Sequence, residues 1–174
     1  LKVHELTPET ELPIYAVLDG AFENLPEHLE NRFDVAYSCS CFEHVLRMPQ
    51  LLRTARRVLK PGGMLFAMYS PIWSAWDGHH LPKIKDEQGQ EHSFGTPLIP
   101  PWSHLLLSPP EMLSYLVRRI DRCTAERIVY YLYHSPHINR LFTEDYVGYF
   151  MQSGMEVLHL EGVFQRTITD ALQK

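Results

Sequence analysis

"FDVAYSCSCFEHVLRMPQLLRTARRVLKPGGMLFAMYSP", residues 33–71, decides the fold class of this 174-residue chain. An apolar run (33–38) breaks off into Ser38, Cys39, Ser40 and Cys41. Pro49 then opens a helix in which Leu51, Leu52, Ala55, Val58 and Leu59 recur at helical spacing, with Arg53, Arg56 and Arg57 off that stripe. Lys60-Pro61-Gly62-Gly63 stops it, because Pro61 has no N–H to donate and glycine tolerates positive φ. MLFAMY (64–69) is the next strand. A strand, a polar tip, a helix with a hard stop and another strand argue a parallel α/β sheet.

The pattern continues upstream. Leu1 to Leu6 reads as a strand, and Thr7-Pro8-Glu9 as a helix start that Pro13 cuts short. IYAVL (14–18) is a further strand, closed by the turn signal Asp19-Gly20. The strands are near-continuous apolar runs, which predicts cover on both faces. Residues 72–140 break the rhythm and hold most of the prolines, all three tryptophans and many histidines. Met112, Leu113, Leu116, Val117 and Ile120 form one helical stripe, and AERIVYYLY (125–133) a second helix. His134 and His137 read as helix-end residues. This segment is expected to be a helical insert lying over one edge of the sheet. Thr143, with Glu144 and Asp145 behind it, starts a late helix that Gly154 ends. MEVLHLEG (155–162) and VFQRTITDAL (163–172) read as a closing pair of strands.

Composition bounds the function. The length allows one domain with one insert. A formal charge of −5 gives no electrostatic ground for nucleic acid, whose binders carry a basic face. No apolar run reaches the roughly 18 residues of a membrane span. Cys39, Cys41 and Cys123 make no disulfide framework, which fits reduced thiols and a cytoplasmic setting. The chain starts at Leu1, almost inside a strand, and is expected to be part of a longer protein.

Ligands of open α/β sheets bind beyond the carboxyl ends of the strands. Three such ends stand out: Glu5, Asp19-Gly20-Ala21-Phe22, and Ser38-Cys39-Ser40. A carboxylate there can accept both hydroxyls of a ribose. Taken alone, Glu5 also reads as a solvated acid paired with a helix dipole.

VHELTPE (3–9) resembles the second strand and turn of class I S-adenosylmethionine-dependent methyltransferases. LDGAFENLP (18–26) is similar to their third strand, RFDVAYSCSCFEHV (32–45) to their fourth, and LLRTARRVLKPGGMLFAMYSP (51–71) to their fourth helix and fifth strand. FTEDYVGYFMQSGMEVLHLEG (142–162) resembles their late helix and sixth strand. The resemblance implies a Rossmann-like core over 1–71 and 141–174, incomplete at its N-terminus, with the helical insert 72–140 after the fifth strand. It implies S-adenosylmethionine as cofactor, Glu5 on the ribose with Leu6 beside the adenine, and Asp19, Gly20 and Ala21 near the adenine amine. The family order there is Gly-Asp-Ala, whereas this chain has Asp-Gly-Ala. Phe22 covers the adenine or belongs to the core. Ser38, Cys39 and Ser40 run under the methionine portion. The family's glycine-rich loop has no counterpart before Glu5.

Glu43 and His44 read either as a loop-orienting pair or as substrate-facing groups. Methyl transfer needs a base only when the acceptor is protonated at neutral pH, and histidine has a suitable ordinary pKa. His44, His79 and His80 are therefore the candidate catalytic residues, and Trp73, Trp76, Trp102 and His104 the candidate substrate contacts. A packed insert with hydrogen-bonded histidines is the plain alternative. A divalent ion on Asp77, His79, His80 and His104 is weighed but not adopted. The expected reaction is methyl transfer to oxygen or nitrogen of a small-molecule or metabolite acceptor, with neither nucleic acid nor membrane as partner and homo-oligomerisation left open. The rivals are a methyltransferase-like binding module without the cofactor and a metal-dependent α/β hydrolase.

Overall fold

The computed structural model describes residues 3–5, 16–18 and 21–162. The 33–71 unit folds as its sequence pattern requires. Strand β3 (Phe33–Cys39) leads through a 3-10 turn, Phe42–His44, into helix α1 (Met48–Val58) and strand β4 (Leu59–Met68). The two strands pair in parallel, with Val35 opposite Met64 and Cys39 opposite Met68. Parallel pairing puts both carboxyl ends at one edge. Pro49 lies in the first turn of α1, which buries Met48, Leu51, Leu52, Ala55 and Val58. Its last carbonyls are taken up by neighbours: Asn31 N–H donates to Arg57 O (3.0 Å) and Arg32 N–H to Val58 O (2.9 Å).

The helix stop works differently from the reading above. Pairing begins already at Leu59, opposite Phe33, and Lys60-Pro61-Gly62-Gly63 bulges out before the ladder resumes at Met64. Gly62 takes φ +79°, which favours glycine.

Two further expectations change. The strands β1 (Val3–Glu5) and β2 (Ala16–Leu18) pair with each other, and they are antiparallel: Val3 faces Leu18 and Glu5 faces Ala16. The link 6–15 is shorter than the dozen or so residues a parallel crossover needs. Secondly, among the described residues β3–β4 is covered on one face. Leu65, Ala67 and Tyr69 pack on Phe42, Val45, Met48, Leu51, Leu52 and Tyr146, whereas Val35, Tyr37, Met64, Phe66 and Met68 are exposed. On that open face the Tyr37 and Phe66 rings stack 5.4 Å apart.

Beyond β4 lie short strands β5 (Ile84–Lys85) and β6 (Glu91–His92), antiparallel, and helices α2 (Ser103–Leu106), α3 (Pro109–Leu116), α4 (Arg122–Tyr133) and α5 (Thr143–Gln152). A second apolar cluster joins Leu81, Ile84, Ile99, Met112, Leu116, Ala125, Ile128 and Leu132. Ser108 and Glu111 form the capping box of α3, and Asp121 caps α4 through Thr124 N–H at 2.8 Å. Helix α5 is capped one residue earlier than expected, by the Asp145 carboxylate accepting from Phe142 N–H at 2.8 Å. Residues 155–162 form no strand, since none of the described strands pairs with them. The expected helix at Thr7 and the final strand over 163–172 lie outside the described residues. None of the helices among the described residues is long and apolar enough to cross a membrane.

Leu132 is fully buried in the second cluster. Leu132→Ala removes buried methyls and leaves a cavity, and should cost about 2–5 kcal/mol of stability, measured by urea unfolding.

Candidate functional site

Because β3 and β4 are parallel, the turn after one and the loop after the other start at the same edge. Ser40, at φ +48°, turns the chain off β3, and its N–H donates to Met68 O at 2.8 Å. The 3-10 turn then buries Phe42 and Glu43 side by side. Phe42 lies 5.3 Å from the Tyr69 ring, so its apolar contact seats the turn against the end of β4. After β4 the chain folds back through Pro71–His80. Gly78 makes that fold possible, because a Cβ there would lie 2.1 Å from Ile72 O.

A clasp from far along the chain locks the turn. Asn139 N–H donates to Glu43 O (2.9 Å), and its side-chain amide donates to Phe42 O (2.7 Å) and Val45 O (3.0 Å). The Tyr146 hydroxyl donates to Asn139 Oδ1 at 3.1 Å. His44 Nδ1–H donates to His137 O at 2.5 Å. Arg140 holds the same loop, giving Nε–H to Leu132 O (2.9 Å) and a terminal N–H to Ser135 O (2.7 Å).

Three histidines meet here. The rings of His44 and His80 are 4.8 Å apart, and His137 lies 5.1 Å from His44 and 5.8 Å from His80. Glu43 is 1 % exposed, and neither carboxylate oxygen has a hydrogen-bond partner. Burial raises the Glu43 pKa, partly offset by its own backbone N–H, by His44 and by the Ser70 N–H. Burial, helped by the Glu43 charge, pushes the Tyr69 phenol up to about 12. Burial likewise pulls His80 down to about 4, aided by the neighbouring His44 and His137, while the Pro71 carbonyl opposes the shift.

His79 and His104 form a second pair, 5.7 Å apart. His79 Nδ1 accepts from Leu81 N–H at 3.2 Å, and burial, with His104 and His80 nearby, lowers its pKa to about 3. His104 Nε2–H donates to Trp73 O at 2.8 Å and its ring stands edge-on to Trp73 at 4.7 Å; burial lowers its pKa too. The ion set weighed from the sequence is thus committed elsewhere in part, with His79 and His104 spending a nitrogen each on the backbone.

The other sequence candidates are placed as follows. Trp73 and Trp102 are buried, and Trp102 N–H donates to Trp76 O at 2.9 Å. Ser38 is half-buried at the end of β3, with Cys39 and Ser40 exposed beside it. Ala21 is exposed, and Phe22 packs against the α1 cluster. Leu6, Asp19 and Gly20 lie outside the described residues. Glu5 ends β1, but antiparallel pairing sets it at the opposite end of that pair from Leu18, which precedes Asp19. The strand ends expected to share one rim are therefore divided. Sequence reasoning missed His137 and Asn139 as site residues, since a contact made across more than 90 residues leaves no local pattern.

Among known families, a methyltransferase domain model matches residues 2–67. The match runs from β1 to the penultimate residue of β4 and, over those residues, bears out the resemblance to class I S-adenosylmethionine-dependent methyltransferases. No curated protein and no solved structure matches the chain.

Two measurements test this geometry. Asn139→Ala leaves the Val45 carbonyl without its donor and the Phe42 carbonyl with only the Tyr146 hydroxyl at 3.3 Å, and should cost about 1–3 kcal/mol in chemical unfolding. His79 and His104 are held neutral, so the unfolded chain binds more protons below about pH 6.5. Their contribution is complete above that pH and is lost as pH falls toward the folded values. From pH 7 to pH 5 His79 alone should cost about 2 kcal/mol, and His79→Gln should flatten that slope in urea unfolding.

Proposed function

We propose that this chain serves methyl transfer from S-adenosylmethionine to oxygen or nitrogen of a small-molecule acceptor. The observation that carries the reading is the methyltransferase domain match over 2–67, within which the parallel pair β3–β4 presents Ser38, Cys39 and Ser40 at a shared carboxyl edge. Open α/β sheets bind ligands at such an edge. The reading assigns 1–71 and 141–174 to the cofactor core and 72–140 to the acceptor side, with Trp73, Trp76, Trp102 and His104 shaping it.

The cofactor fit is partial. The Ser38–Ser40 tip suits a polar ligand, whereas antiparallel pairing puts Glu5 and Leu18 at opposite ends of β1–β2. Burial keeps His79 and His80 neutral at pH 7; His79 spends its lone pair on Leu81 N–H, so His80 Nδ1 is the one left to offer, and a pKa of about 4 makes it a weak base. An acceptor that needs no deprotonation, such as a neutral amine, suits this group better than an alcohol.

The antiparallel pair also favours a second reading, a methyltransferase-like module that binds a partner or metabolite without the cofactor. Calorimetric titration separates the two. Saturable S-adenosylmethionine binding, weakened roughly threefold to tenfold in Ser38→Ala by loss of a hydrogen bond at the shared edge, supports methyl transfer. Absence of heat at millimolar cofactor would favour the binding module.

A further inference from the structure

We propose that Glu43, His44 and His80 form a binding site for a divalent first-row transition ion, of which Zn2+ is the natural probe. Each of the three offers a donor atom, and these atoms lie within 4.8 Å of one another. Donors of a tetrahedral site with bonds of about 2.1 Å are about 3.4 Å apart, so each need move less than about 1 Å to close on an ion.

Proximity is the lesser part of the case. Among the described residues, three of the four buried side-chain polar atoms left without partners gather here, both oxygens of Glu43 and Nδ1 of His80; the fourth, His104 Nδ1, belongs to the other histidine pair. An isolated carboxylate taken out of water is costly unless a cation or donors compensate it. The remaining ligand is prepared in the way metal-binding histidines usually are. His44 gives its Nδ1–H to the His137 carbonyl, which fixes the tautomer and leaves the Nε2 lone pair free. Asn139 fixes the same turn by three backbone contacts, so the donors are held from behind.

The donor chemistry selects the ion class. Two imidazoles and one carboxylate suit zinc, cobalt or ferrous iron, whereas magnesium and calcium prefer all-oxygen shells. One negative ligand and two neutral ones leave a dication with net charge +1. Three protein ligands leave coordination open for water or for an oxygen or nitrogen atom of a bound molecule. The rival occupant is a proton: a neutral Glu43 acid donating to His80 Nδ1 would satisfy part of the same set and bind no metal.

The test uses the full chain, stripped with chelator and then dialysed against Zn2+, and separately titrated with Co2+ in the visible range. One Zn2+ per chain is expected, and a Co2+ spectrum with ligand-field bands but no near-ultraviolet thiolate charge-transfer band. The thiolate control matters because Cys39, Cys41 and Cys123 are free and exposed. Changing all three to Ser should leave binding unchanged. Glu43→Gln, close to isosteric, and His80→Gln should each weaken Zn2+ by at least about tenfold, the loss that even outer-shell partners can cause. Circular dichroism checks that the variants fold; where one does not, the wild-type Co2+ spectrum and the cysteine variant decide. Substoichiometric Zn2+, a thiolate band abolished with the cysteines, or undiminished binding by folded Glu43→Gln and His80→Gln would overturn the proposal. No cofactor enters this measurement, so its outcome is separate from that of the methyl-transfer titration.

Discussion

The parallel pairing of β3 with β4 is the constraint on which the rest of the site depends. A parallel pair cannot be closed by a tight turn; it needs a crossover, and α1 is that crossover. Once α1 lies across one face, both strands must end at the same edge, and whatever follows them must share that edge. The turn Phe42–His44 follows one strand and the loop Pro71–His80 follows the other. Glu43, His44 and His80 are neighbours because the two loops have nowhere else to begin. Phe42 contributes the apolar side of the same bargain, packing on Tyr69 and the α1 cluster while its carbonyl is held by Asn139.

How much of this was legible in the sequence follows from how local each signal is. The order β3, turn, α1, stop and β4 could be read because periodicity and the Pro-Gly-Gly stop act within a few residues. The apolar runs of β3 and β4 were legible, but the two-faced cover expected of them was not the outcome. Val35, Tyr37, Met64 and Phe66 are as apolar as strands covered on both faces, yet they stand exposed. A sequence reports the capacity for burial, and the presence of a covering layer is a tertiary fact. The direction of β2 was misjudged for a different reason. The residues of IYAVL are good strand formers in either orientation, and the deciding quantity was the length of the link 6–15.

The site divides along the same line. His44, His79, His80 and His104 were legible as chemistry because histidine is a small class with a distinctive pKa. Their pairing was not. Proximity in sequence puts His79 with His80, but the fold sends His79 to His104 and His80 to His44. Adjacent residues in a loop point to different sides, so the pairing depends on the backbone at 78–80. There Gly78 lets the chain pass against the Ile72 carbonyl and His80 takes φ +46°. Asn139 shows the limit most plainly, since nothing about one asparagine after a helix announces that it will hold a turn almost a hundred residues upstream.

These constraints meet at the Glu43 carboxylate. In a stable fold most buried polar atoms find partners, and this chain obeys the rule closely around Glu43: the Phe42, Glu43 and Val45 carbonyls are all satisfied by Asn139. The same clasp that meets these backbone needs offers nothing to the carboxylate it surrounds. A turn built only for stability would do better with an apolar side chain at that position, since replacing a buried unpaired charge by an apolar group of similar size is often neutral or stabilising. The support is spent on holding Glu43 still, facing two imidazoles, with its oxygens unbonded. Rigid backbone around reactive side chains with unused bonding capacity is the arrangement a ligand site requires, because the cost of ordering the donors has been met before the ligand arrives.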